Sequence, residues 1–104
     1  MGAEQRQLSL GAFLMNYGHH IAAWRHPGSA GVGAVDYAFY KRCTQAAERG
    51  KFDMVFLADN NSIPLIEDLQ TNVSFLQPEA LTMLSSLAGV TEYVGLAGTA
   101  STTF

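Results

Sequence analysis

Three apolar runs that alternate with two helical patterns constrain the fold of this chain more than any other feature. The run 8–14, "LSLGAFL", alternates as a strand does, and the run 53–59, "DMVFLAD", is apolar in its middle without alternation, which is typical of a strand covered on both faces. The run 93–100, "YVGLAGTA", predicts a third strand. This β-α-β-α-β order favours a parallel sheet in the strand order first, second, third, with both helices on one face.

Both helical patterns carry end signals. Asp36 is a good N-cap for the first helix, and Gly50 ends it. Pro78, suited to the first helical position, and Glu79 open the second helix. Apolar residues recur at spacings of three and four on one side of each helix: Tyr37, Tyr40, Cys43 and Ala47 in the first, and Leu81, Leu84, Leu87 and Ala88 in the second.

The connections between these elements are unequal in length. Each helix returns to the next strand within a few residues, whereas the segments 15–35 and 60–77 that leave the strands are long. The long connections therefore lie at the carboxyl ends of the strands, where α/β barrels and open α/β sheets have their functional sites. The stretch 15–27, "MNYGHHIAAWRHP", lies at this edge, as do Asp59 after the second strand and Thr99 after the third.

The histidines of that stretch raise the question of a metal site. His19, His20 and His26 could supply imidazoles, but adjacent histidines point in different directions and the spacing matches no zinc pattern. We therefore predict no metal. A dinucleotide fingerprint is also absent, because Asp36 stands where the last glycine of the motif would be. Cys43 lies mid-helix on the apolar side, which favours core packing over a nucleophile.

The polar residues at the strand ends have two interpretations each. Asp59 closes a buried apolar strand, where a carboxylate is costly to desolvate unless something pairs with it; it could equally be a cap or turn residue bonding nearby amides. The Ser and Thr cluster of residues 99–103 could be a solvated turn. Trp24 and Arg25 could hold the long loop to the surface.

Composition excludes several classes of protein. The chain has 104 residues, of which 48% are hydrophobic and 14% charged, as in a globular domain. Its net charge of −3 gives no basic patch for nucleic acid. A single cysteine excludes an internal disulfide framework, the polar start has no apolar core of the kind found in signal peptides, and no apolar run is long enough to span a membrane. We expect a cytoplasmic protein without nucleic-acid or membrane partners.

Three stretches carry a resemblance to a known family: "GAFLMNYGHHIAAWRHP", "AAERGKFDMVFLAD" and "QPEALTMLSSLAGVTEYVGLAGTASTTF". From Leu8 onward the chain resembles the N-terminal segment of the nitrilotriacetate monooxygenase component A family, within the bacterial-luciferase-like flavin monooxygenases. The resemblance implies an α/β fold, the (β/α)8 TIM barrel. Because such a barrel takes about 250 residues, residues 1–104 would be its first three strands and two helices, within one domain.

The resemblance also implies an activity. Family members take reduced FMN (FMNH2) from a separate flavin reductase and use dioxygen to insert one oxygen atom into a small organic substrate. The residues that grip the FMN phosphate come from later strands, so we expect the 104-residue piece to be inactive by itself. We also expect a homo-oligomer. The resemblance leaves the substrate open.

Individual site residues follow from the same resemblance. Asp59 resembles the acid that ends the second barrel strand beside the flavin, and Thr99 resembles the threonine that ends the third strand and meets the flavin. The resemblance also implies that residues 99–101 can hold a non-prolyl cis peptide. Asn16, His19 and His20 are placed by strand order alone, at the rim of the first strand, where they would line the substrate pocket. Two alternatives remain: a luciferase-like oxidoreductase that uses a deazaflavin, and a non-catalytic barrel fragment acting as a binding module.

Overall fold

The sheet is parallel and has the predicted strand order. The computed structural model describes residues 5–15, 17–20, 22–29, 36–59 and 77–102, and the fold is that of these residues. Neighbouring strands pair in parallel in the order first, second, third. Each strand is shorter at both ends than the apolar run that predicted it. The strands are β1, Gly11–Phe13; β2, Met54–Leu57; and β3, Gly95–Gly98.

Two α-helices cover one face of this sheet. Helix α1 is Tyr37–Arg49 and helix α2 is Ala80–Ala88. The helices contact each other, α1 also contacts β2, and α2 also contacts β3. This confirms the prediction that both helices lie on one face. Two short 3-10 turns, Ala23–Arg25 and Pro27–Ser29, lie in the connection between β1 and α1. None of the helices described is long and apolar enough to cross a membrane.

The helix starts show why each helix begins where it does. The Asp36 carboxylate accepts a hydrogen bond from the Ala38 amide at 3.0 Å, as an N-cap should, and Gly50 ends α1 as predicted. The prediction that Pro78 is the first helical residue is wrong. Glu79 is the N-cap of α2, Pro78 precedes it, and the helix begins at Ala80. The Glu79 carboxylate satisfies the amides of the first turn of α2 and thereby sets its start.

The buried faces of the helices are rotated from those expected. Leu81 is 51% exposed and Ala88 is exposed, because the face of α2 that meets the sheet runs through Ala80. On α1, Thr44 is fully buried whereas Cys43 is only partly buried. The buried hydrophobic residues form two clusters: Tyr40, Leu57, Ala80, Met83, Leu84 and Leu87 in one, and Ala47, Val55 and Val94 in the other.

Among the described residues the helices cover only one face of β2, whereas a strand covered on both faces was expected. Val55 and Leu57 are buried beneath the helices, whereas Met54 on the other face is 41% exposed. Across that open face one register row is Gly11, Met54 and Gly95, and the next is Phe13, Phe56 and Ala97. Among the described residues the open face is therefore apolar, and its carboxyl-end row carries two aromatic rings.

Two carboxylates fasten the amino ends of the strands. Asp53 accepts a hydrogen bond from the Leu10 amide at 2.7 Å and donates its own amide to the Leu10 carbonyl at 2.8 Å, which joins β1 to β2. One oxygen of Glu48 accepts from the amides of residues 92, 93 and 94 at 2.8, 2.7 and 3.0 Å. These amides, led by that of Val94, lower the pKa of Glu48. Both carboxylates therefore bond at the amino ends of the strands, and neither occupies the carboxyl ends.

Candidate functional site at the carboxyl edge of the sheet

Asp59 and Thr99 meet where β2 and β3 end. The Thr99 hydroxyl oxygen accepts a hydrogen bond from the Asp59 amide at 2.8 Å. The Asp59 Oδ2 atom in turn accepts from the Ser101 amide at 2.9 Å. These two bonds form a reciprocal link between the neighbouring strand ends. The two residues therefore lie together at this edge, as their positions after parallel strands predict.

The link leaves further hydrogen-bonding capacity on both residues. The Thr99 oxygen already accepts from Asp59, so its hydroxyl proton can be donated elsewhere. The Asp59 Oδ1 atom has no hydrogen bond within the residues described, and Asp59 is only partly buried. The strand ends thus offer one donor and one charged acceptor to a ligand at the edge of the sheet.

The alternative prediction, that Asp59 is a cap or turn residue that bonds nearby amides, is also partly right. Asp59 caps neither of the two α-helices that the structure describes, because Asp36 and Glu79 are their N-caps. Its carboxylate does bond a backbone amide, however, as a turn residue would. The amide belongs to the end of the next strand, so this bond stabilises the strand pair. Asp59 therefore has a structural contact whether or not it also binds a ligand.

His19 lies at the end of β1 and is fastened to that strand. Its Nε2 atom lies 3.0 Å from the Phe13 carbonyl oxygen, and its ring meets the Phe13 ring edge to face with the centroids 4.7 Å apart. The Phe13 ring makes a similar contact with Phe56 at 5.0 Å. His19 thus extends the aromatic row of the open sheet face to the carboxyl edge.

The other two histidines of this stretch have local roles. The Nδ1 atoms of His20 and His26 accept hydrogen bonds from amides two residues further along, at 3.1 and 2.9 Å. Asn16 lies outside the described residues. Within the described part of the chain, no group of three or more histidine, cysteine or acidic side chains is placed to hold a metal ion.

Two other expectations can be compared with the geometry. Burial raises the pKa of the Cys43 thiol, and the smaller opposing effect of Arg42 does not cancel it. The thiol therefore stays protonated, which argues against a nucleophile. No cis peptide bond occurs in the described residues, so residues 99–101, where the family can hold one, contain none.

The structure adds two aromatic residues that the sequence reasoning did not assign to the site, and it gives a contact to Ser101, which the sequence placed at this edge without a partner. Phe13 and Phe56 occupy the same register row on the open face. The alternation of "GAFL" carried a signal for Phe13, because it set that residue opposite Ala12 and Leu14. Ser101 supplies its amide to Asp59. No sequence signal could have found that contact, because it depends on how two distant strand ends meet.

The chain is similar to known monooxygenases over its whole length, although no family model matches it. Across 105 residues, which is 100% of the chain, it is 43% identical to N-acetyl-S-(2-succino)cysteine monooxygenase of Bacillus subtilis (strain 168), and it covers 23% of that protein. It is 36% identical over 98 residues to one subunit of pristinamycin IIA synthase from Streptomyces pristinaespiralis, matching 92% of the chain and 23% of the relative.

A third relative carries the name of the family seen in the sequence. The chain is 35% identical over 113 residues to nitrilotriacetate monooxygenase component A of Aminobacter aminovorans, matching 100% of the chain and 25% of the relative. The resemblance derived from the motifs is therefore confirmed. The chain spans about a quarter of the length of these curated relatives.

Proposed function

We propose that this chain, as a relative of nitrilotriacetate monooxygenase component A, is the N-terminal part of a (β/α)8-barrel monooxygenase. The complete protein would use reduced FMN and dioxygen to oxygenate a small organic substrate. The observation that carries the proposal is the similarity of the whole chain to proteins named monooxygenases. The parallel sheet, with its polar residues at the carboxyl edge, is compatible with the start of such a barrel.

The chemistry of the strand-end residues fits a flavin. The edge of the isoalloxazine ring presents carbonyl acceptors beside an N–H donor. Thr99 has a hydroxyl proton to donate, and Asp59 has a carboxylate oxygen to accept. We infer that Thr99 would donate to a ring carbonyl and that Asp59 would accept from the ring N–H. The phosphate of FMN would be held by residues outside this chain.

When bound, reduced FMN would supply the reaction with dioxygen, and the protein would supply orientation and a dry site. Asp59 and Thr99 would fix the ring at the strand ends. Phe13 and Phe56 would line an apolar wall that keeps water from the reacting atoms, since their rings pack against each other on the open sheet face. His19 lies beside this wall and would contact the substrate.

The partners follow from the same proposal. The name of one relative, component A, supports a separate component that would reduce the flavin. We propose a flavin reductase as that partner, a homo-oligomeric enzyme, and a location in the cytoplasm. The names of the relatives supply the candidate substrates. They include a carboxylated thioether, nitrilotriacetate and dibenzothiophene sulfone.

The function is tested on the full-length polypeptide that carries this chain. With enzymatically reduced FMN and dioxygen, it should oxygenate at least one compound named by its relatives, and NADH should support turnover only through a reductase. Turnover with a reduced deazaflavin alone would assign the protein to the other luciferase-like branch. No turnover with either cofactor, from a folded protein, would favour the binding-module alternative.

A pair of variants tests the flavin role of Asp59. Asp59→Ala removes the proposed charged acceptor, so the affinity for reduced FMN should fall by roughly 10- to 150-fold, from about 1.5–3 kcal/mol for a hydrogen bond to a charged group. Asp53→Ala is the matched control, because the Asp53 carboxylate also bonds across strands but lies at the amino ends of the strands, away from the candidate site. Measuring FMNH2 affinity, peroxide release and thermal unfolding separates the roles. If both variants lower stability and neither changes affinity or peroxide release, Asp59 is structural.

A further inference from the structure

The three histidines of the loop use their ring nitrogens differently. His20 and His26 each accept a backbone amide on Nδ1, from Ala22 at 3.1 Å and from Gly28 at 2.9 Å. Both bonds span two residues and close a local turn. The Nδ1 atoms of these two histidines are therefore used to shape the loop.

His19 uses the opposite nitrogen. Its Nε2 atom lies 3.0 Å from the carbonyl oxygen of Phe13, and a carbonyl oxygen only accepts, so Nε2 carries the proton and donates it. In the neutral ring Nδ1 is then an unprotonated acceptor. Within the described residues this atom has no hydrogen-bond partner. The edge-to-face contact with Phe13 holds the ring in this orientation.

The surroundings of His19 suit a bound molecule. His19 lines an open groove of about 380 Å³ at the carboxyl end of β1, together with Phe13, Met15, Tyr17 and Phe39. These neighbours are mainly apolar or aromatic. His19 is exposed, so a ligand that covers its ring removes water from Nδ1, and a ligand that brings a hydrogen-bond donor to this atom is favoured over one that does not.

We propose that His19 is the histidine that binds the substrate, with Nδ1 accepting a hydrogen bond from a substrate N–H or O–H. The Phe13 carbonyl would act as the positioning group that fixes the tautomer. This assignment rests on the proposed monooxygenase function and narrows its substrate to compounds that carry a donor. His20 and His26 would instead maintain the shape of the loop.

The test combines substrates with and without donors. N-acetyl-S-(2-succino)cysteine has an amide N–H, and nitrilotriacetate has an amine that is protonated at neutral pH. Dibenzothiophene sulfone and dimethyl sulfide have no donor. All four compounds are named by relatives of the chain. The full-length wild-type enzyme, supplied with reduced FMN, should turn over donor-bearing compounds preferentially.

His19→Phe keeps an aromatic ring for the contact with Phe13 but removes both ring nitrogens, so no acceptor remains at this position. It should raise KM for the donor-bearing substrate by about 2- to 10-fold, the value of a neutral hydrogen bond. FMNH2 affinity and the circular dichroism spectrum should not change. His26→Phe is the matched control, because it removes a histidine whose Nδ1 is engaged within the loop, and KM should stay at the wild-type value.

The outcomes separate this assignment from the proposed function. A folded wild-type enzyme that oxygenates none of the compounds contradicts the function itself. An active wild type that turns over only the donor-free compounds overturns the role of His19. An unchanged KM in His19→Phe, or a rise in KM found in His20→Phe instead, overturns it as well.

Discussion

Replacing Thr44 by valine should stabilise this protein. Thr44 lies in α1 and is fully buried, and its hydroxyl oxygen has no hydrogen-bond partner among the described residues. Hydroxyls in helices often bond the carbonyl four residues earlier, as Ser85 and Ser86 do in α2. Thr44 makes no such bond, so folding removes its hydroxyl from water without compensation.

The size of the effect follows from that burial. Desolvating a polar group without a partner costs about 1–3 kcal/mol, and valine fills nearly the same volume without the hydroxyl. Both residues are branched at Cβ, so helix propensity changes little. We expect the free energy of unfolding to rise by about 1–2 kcal/mol, which is a roughly 5- to 30-fold change in the folding equilibrium.

Thr91→Val is the matched control. The Thr91 hydroxyl donates to the Leu87 carbonyl at 3.0 Å in a partly buried position. The same substitution there removes a formed bond, so the free energy of unfolding should fall by about 0.5–1.5 kcal/mol. Urea unfolding followed by circular dichroism measures both variants under identical conditions, provided that the slope against urea is unchanged.

The opposite signs of the two variants are the diagnostic result. If Thr44→Val lowers stability as Thr91→Val does, the Thr44 hydroxyl is hydrogen-bonded in solution and the reasoning is refuted. If both variants match the wild type, the buried hydroxyl carries no measurable penalty at this position.

Two further predictions concern the sheet and its fastening. Glu48 has a lowered pKa in the folded state, so its stabilisation should be fully present above the unfolded carboxyl pKa of about 4.3 and should be lost as the pH falls through the folded pKa. Urea midpoints from neutral to acid pH should therefore converge between wild type and Glu48→Gln at low pH, and a pH-independent difference would refute the charge effect. At Gly98, an added Cβ would lie 2.5 Å from the Leu84 Cδ1 atom, so Gly98→Ala should cost about 1–3 kcal/mol by overpacking. Leu84→Ala should relieve that strain in the double variant, and strictly additive losses in urea unfolding would contradict a direct clash.

The sequence by itself determined the order of elements and the edge at which the chemistry lies. Periodicity and end signals are local, so Asp36 and Gly50 could be assigned to the ends of α1 from neighbouring residues alone. The strand order and the parallel pairing followed from the alternation of strands and helices. The position of Asp59 and Thr99 at the carboxyl edge follows from that topology without any knowledge of contacts.

Only the tertiary structure decided how those residues are used. The bonds among Asp59, Thr99 and Ser101 join residues that are 40 and 42 positions apart, and they depend on how the two strand ends approach each other. Likewise, the pattern could not show that Thr44 is buried more deeply than Cys43, because helix rotation depends on what packs against it. His19 differs from His20 and His26 only because the end of β1 brings the Phe13 carbonyl to its Nε2 atom. Local preferences cannot encode such choices, since each depends on a partner that folding supplies.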